Sequence, residues 1–169
     1  LYAAGYAEWN IVGASVTGYS MGIGIKPGTL NLSGDAEIRS TGPNDAPTDG
    51  FSNGINASGA AIQIESNKDY AGNIVIDISD GNIVSENGYA VYEYANGTDP
   101  LQVTAVNIRG GSFTSGQGVS GDICISDSMA QKKVLSITGG TFSSEVPDAY
   151  MPAGYTCMLD ETSGKYVVD

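Results

Sequence analysis

One short pattern returns five times along this chain, and a return of that kind leaves few folds open. Residues 9–16, 30–38, 76–83, 106–113 and 135–142 each run apolar, polar, apolar, polar (Val12 holding the fourth place in the first copy), then through a glycine-containing turn to a polar and an apolar residue. Alternation with a period of two marks a strand with one buried face. The second apolar position falls at Ile11, Leu32, Ile78, Ile108 and Ile137, in steps of 21, 46, 30 and 29 residues. An antiparallel sandwich predicts strands but not this register. The coils of a solenoid must bring the same strand back over the one before. The expected fold is therefore all-β, a parallel β-helix of about five coils. Trp9, Leu30, Ile76, Val106 and Leu135 share the inward face with the five residues above. After the glycine corner, Val16, Ile38, Ile83, Phe113 and Phe142 open the next wall.

Residues 22–25, 61–64, 91–94 and 122–125 form a second ladder between the main motifs. Its apolar alignment sets Tyr92 over Ile62 and Tyr94 over Ile64. The 46-residue step holds an excursion, the Pro/Gly-rich polar loop 41–54. Shorter insertions at 66–72, 96–101 and 126–133 read as loops, and loops leaving one side of a solenoid commonly build its binding surface. Coils fill 1–145. The segment 146–169 breaks the pattern with Pro147 and Pro152 and then offers a hairpin, 155–159 and 165–168, suited to cap the last coil. The N-terminal end has no such device, which predicts that the chain is part of a longer one.

Composition narrows the partners. Seven basic residues face 19 acidic ones, for a net charge of −12. Such a surface repels phosphate backbones and anionic headgroups, so neither nucleic acid nor membrane insertion is expected. No apolar run approaches the ~18 residues of a membrane span. Cys124 and Cys157 make no disulfide framework or metal motif; two unpaired thiols is the plainer reading, with one bridge to the tail as the alternative.

The fourth and fifth repeats, 108–115 and 137–144, both fit I-x-G-G-x-F-x-S. They resemble repeats of adhesin-like surface proteins from gut Clostridia and related Firmicutes. The ending at 154–157 and 164–168 is similar to the closing unit of those proteins. The resemblance implies a right-handed, pectate-lyase-like β-helix in an extracellular protein of the bacterial cell surface. It brings no catalytic residues with it.

Histidine is absent, which removes the commonest general base and the usual nucleophilic triads. Asp77, Asp80 and Glu86 are a candidate carboxylate set, though the plainer reading is a solvated ladder in which Asp77 aligns with Asn10, Asn31, Asn107 and Ser136. Asp45 and Asp49 lack the dense spacing of a calcium loop. No catalytic residue, metal or cofactor is expected. Tyr89, Tyr92 and Tyr94 cluster with Glu93, and with the loop residue Phe51 they form the candidate ligand platform, because aromatic rings stack on sugar faces. Packing of Tyr92 and Tyr94 in the core is the competing reading, while Tyr89 is exposed in either register. Triplets at Asn31, Asn56 and Asn96 match glycosylation acceptors, but such triplets are frequent by chance. The expectation is a noncatalytic surface region that binds a host glycan or glycoprotein or displays another domain. A carbohydrate-active enzyme fragment is the rival, and a passive spacer the third reading.

Overall fold

The computed structural model describes residues 1–45, 58–67, 69–95 and 102–169. The chain passes five times through the same three positions. The first pass is β1 (Tyr2–Ala3), β2 (Glu8–Val12) and β3 (Ser15–Gly18); the second is β4 (Ile23–Ile25), β5 (Gly28–Ser33) and β6 (Glu37–Ser40). Then come β7 (Ile62–Ser66), β8 (Ile74–Ile78) and β9 (Asn82–Ser85), followed by β10 (Val91–Ala95), β11 (Val103–Ile108) and β12 (Ser112–Thr114). The fifth is β13 (Ile123–Cys124), β14 (Leu135–Ile137) and β15 (Gly140–Phe142). Each strand pairs in parallel with the strand three places on, so the fifteen strands form three parallel sheets.

In the second and third sheets the register is the one the repeat dictates. Ile11 pairs with Leu32, Leu32 with Ile78, Ile78 with Ile108 and Ile108 with Ile137. Val16, Ile38, Ile83, Phe113 and Phe142 pair in succession. These rows are buried in one core, with Trp9 and Val16 packed against it at partial exposure. Each fully buried Ile, Leu or Phe contributes roughly 1.5–3 kcal/mol. Phe113 and Phe142 stack with centroids 4.8 Å apart. The corner between these sheets needs glycine: Gly111 has φ 95°, and a Cβ there would lie 2.9 Å from the Gly81 carbonyl oxygen of the preceding pass.

The outward row of the second sheet is the polar ladder expected. Asn31 donates to Asn10 Oδ1 at 2.8 Å, and Asn107 donates to Asp77 Oδ1 at 2.9 Å. Stacked amides of this kind satisfy one another and keep the face polar.

Two expectations are corrected. In the first sheet Ile62 pairs with Val91 and Ile64 with Glu93, so Tyr92 and Tyr94 lie opposite Gln63 and Glu65. A one-residue slip exchanges the two faces of a strand. Two inward tyrosines would have to fit sites sized for isoleucine and find partners for two buried hydroxyls. Second, the insertion 126–133 contains a helix, α1 (Asp127–Lys132), with Ser126 as its N-cap accepting from the Met129 N–H and Met129 buried beneath it. The expected terminal hairpin is present as β16 (Cys157–Asp160) and β17 (Lys165–Val168), and it lies edge to edge with the third sheet, β17 pairing antiparallel with β15. Val168 enters the core cluster. Most of the loop 41–54, including Asp49 and Phe51, lies outside the described residues, as do Asn56 and Asn96. No helix among the described residues is long and apolar enough to cross a membrane.

Candidate functional site

The first sheet carries the candidate platform, and its strand parity decides which residues reach it. Tyr92 points to the face opposite Val91 and Glu93. There its ring stacks on Tyr89 just before the strand, with centroids 5.7 Å apart and planes 18° from parallel. Both rings are half-buried. The Tyr89 hydroxyl lies 3.5 Å from Ser120 Oγ, and Cys124 sits beside Tyr92 on the next strand.

Next to this pair, where the first sheet ends at β13 and the chain turns away into α1, a cleft of about 170 Å³ opens. Ser120, Asp122, Cys124, Ser144, Glu145 and Tyr150 supply its polar lining, over a floor of core residues that includes Ile123 and Phe142. Asp122 is a built-in part of the wall. It is buried, accepts from Ser143 Oγ at 2.6 Å and from the Ser144 N–H at 2.9 Å, and so ties the start of the fifth pass to its end. Burial raises the pKa of the Cys124 thiol; a hydrogen bond with Tyr89 pulls it back, and the nearby Glu93 pushes it up further. Burial raises Tyr92 and Tyr150 as well, with Cys124 as a secondary cause in both. All three groups hold their protons, so at neutral pH the cleft presents the Cys124 thiol and the Tyr150 phenol as neutral hydrogen-bonding groups, with the neutral Tyr92 beside Cys124.

The predicted platform is thus divided. Tyr89 and Tyr92 come together, whereas Tyr94 lies one step along, opposite Glu65. Glu93 points into the core at 3% exposure; its Oε2 accepts from the Ser126 N–H at 2.7 Å and its Oε1 has no hydrogen-bond partner among the described residues. It belongs to the interior beneath α1. Phe51 lies outside the described residues. The candidate carboxylates do not converge. Asp77 pairs with Arg109 at 2.7 Å, Glu86 with Arg39 at 3.1 Å, and Asp80 accepts from the Gly81 N–H. Among the described residues no three His, Cys, Asp or Glu side chains are gathered as a metal site. Cys124 and Cys157 are unbonded, and Cys157 Sγ instead accepts from the Val146 N–H at 3.4 Å.

Sequence reasoning missed a second cluster on the same face of the first sheet. Lys26, directly after β4, reaches Glu65 Oε1 at 2.9 Å, and Asn67 Nδ2 donates to the same oxygen at 3.0 Å. The rings of Tyr2 and Tyr70 flank the Lys26 ammonium, with centroids at 5.5 and 5.1 Å. The signal was present. Once Ile25 is aligned with Ile64, the next residues along both strands are Lys26 and Glu65. No family model, curated protein or solved structure matches the chain.

Proposed function

We propose that the three sheets close into a right-handed parallel β-helix that acts at the bacterial cell surface as a noncatalytic, adhesin-like domain. In this reading it binds a host glycan or glycoprotein through Tyr89, Tyr92 and the adjoining cleft. Right-handed closure follows from the near-universal hand of connections between parallel strands. The surface role rests on the likeness of the I-x-G-G-x-F-x-S repeats to those of adhesin-like proteins.

The observation that carries the binding reading is the Tyr89–Tyr92 stack beside a cleft lined with hydroxyl and carboxylate groups. A sugar ring offers an apolar C–H face and an equatorial belt of hydroxyls. One aromatic face and a few convergent polar groups recognise both. The acidic surface favours a neutral or amine-bearing glycan over a sulfated or sialylated one.

The test is a glycan and host-glycoprotein array on the purified chain, with and without calcium, followed by titration of hits against Tyr89→Ala and Tyr92→Ala. Binding that falls tenfold or more in both variants, with an unchanged far-UV spectrum, supports the reading. An array without hits, or hits indifferent to both substitutions, rejects it. Release of unsaturated or reducing ends from a polysaccharide would move the protein to the lyases or hydrolases.

A further inference from the structure

Lys26, Glu65 and Asn67 are among the most deeply buried polar side chains, at 1%, 3% and 1% exposure. An ion pair so buried loses hydration on both charges, and apolar replacement is often no less stable. The third member makes the arrangement chemically specific. Glu65 Oε1 accepts simultaneously from an amine nitrogen, Lys26 Nζ, and a carboxamide nitrogen, Asn67 Nδ2. The Asn67 carbonyl, Oδ1, accepts the Asp69 N–H at 2.9 Å. Gln102, from the following pass, holds this turn in place. Its Oε1 accepts from the Asn67 N–H at 2.6 Å and its Nε2 donates to the Tyr70 carbonyl.

We propose that Lys26 and Asn67 form an intramolecular amide cross-link, with Glu65 moving the protons. A nucleophilic nitrogen, a carbonyl carbon one bond beyond the second donor to the shared carboxylate oxygen, a proton carrier in contact with both nitrogens and an N–H on the carbonyl oxygen are the parts that amide exchange requires. Holding them together in a site closed to solvent replaces a bimolecular encounter by a pre-oriented one.

The steps balance. Glu65 takes a proton from the Lys26 ammonium, and the freed Nζ lone pair forms a bond to Asn67 Cγ while the carbonyl π pair moves onto Oδ1. That oxygen is stabilised by the Asp69 N–H. Glu65 gives its proton to Nδ2 and takes one from the new Nζ–Cγ nitrogen. When the Oδ1 pair re-forms the carbonyl, the Cγ–Nδ2 bond breaks and ammonia leaves. Ammonia takes the proton from Glu65 and departs as ammonium, and the carboxylate is restored. No oxidant or other reagent is consumed. The product staples the residue after β4 to the residue after β7, closing the 26–67 stretch, loop included, into a covalent ring.

The test is intact mass of the purified chain under denaturing conditions, followed by tandem mass spectrometry of a digest. The expected chain is lighter by one ammonia, with a branched peptide joining the Lys26 and Asn67 segments. Glu65→Gln and Lys26→Arg should both keep the full mass. Asn67→Asp should lose water instead and arrive at the wild-type product mass. A wild-type chain that retains its full mass after prolonged incubation in the folded state overturns the proposal. So does ammonia loss that persists in Lys26→Arg, because that marks cyclisation of Asn67 on its own backbone.

Discussion

Two glycines with almost the same backbone state allow the stacking of the corners to be weighed. Gly111 has φ 95° and Gly118 has φ 89°, so an alanine at either is strained by its own backbone. Around Gly118 no atom of the described residues lies within 4 Å of the added Cβ, whereas at Gly111 it would meet the Gly81 carbonyl oxygen at 2.9 Å. That oxygen is not free to retreat, because it accepts the Ser112 N–H at 2.8 Å in the ladder between the passes. Gly118→Ala carries the backbone term, about 1–3 kcal/mol, offset by about 0.4–1 kcal/mol from the reduced entropy of the unfolded chain. Gly111→Ala carries the same terms plus an overpacking cost of about 1–3 kcal/mol. The expected difference between the two variants is therefore about 1–3 kcal/mol, with Gly111→Ala the less stable. Urea unfolding followed by circular dichroism measures it, provided the slopes agree and only the midpoints move. If the two variants unfold within about 0.5 kcal/mol of each other, the close contact between successive corners is wrong, and with it the tightness of the stack.

Phe113→Ala should cost about 3–5 kcal/mol, since it opens a cavity under a fully buried ring stacked on Phe142. A loss below about 1 kcal/mol in the same urea assay would contradict that packing. Stability should also decline in alkali. Cys124, Tyr92 and Tyr150 keep their protons to higher pH when folded than when unfolded, and the same holds for Tyr2, raised first by burial and then by its contact with Tyr70. The folded state then binds more protons than the unfolded one, so stability falls as pH rises through the ordinary thiol and phenol range, from about pH 8.5 upward. Thermal melts at pH 7, 9 and 10.5 test this, and a melting temperature that holds or rises would refute it.

Most of the fold could be read from the second and third sheets. There the strands set isoleucine, leucine, valine or phenylalanine on one parity and mainly polar residues on the other, with Val12, Val75 and Val84 as exceptions, so one register buries the larger apolar set. The first sheet is different. Val91-Tyr92-Glu93-Tyr94 offers two tyrosines on one parity and a valine with a carboxylate on the other, and hydropathy alone favours the tyrosines. Side-chain volume and the Ser126 N–H awaiting an acceptor decide for Val91 and Glu93, and neither shows in a hydropathy pattern. The helix was concealed by its length of six residues, although Ser126 at its N-cap and Lys132 in its last turn are ordinary helix signals. The cleft could not have been read from the repeat, because it forms where the repeat ends, from the fifth pass and the non-repeating tail.

The antiparallel seam between β15 and β17 bears on self-association. Stacked parallel strands present at one end the complement of what they present at the other, so head-to-tail contact between molecules has no closing symmetry and leads to open fibres. In the third sheet that complementarity is interrupted. Beyond β15 lie two strands of alternating direction, and the last, β16, presents the unequal hydrogen-bond spacing of an antiparallel edge. A strand adding there finds no continuation of the parallel register. Reversing the chain once, at the turn from Asp160 to Gly164, therefore gives that sheet two unlike ends and works against polymerisation along it.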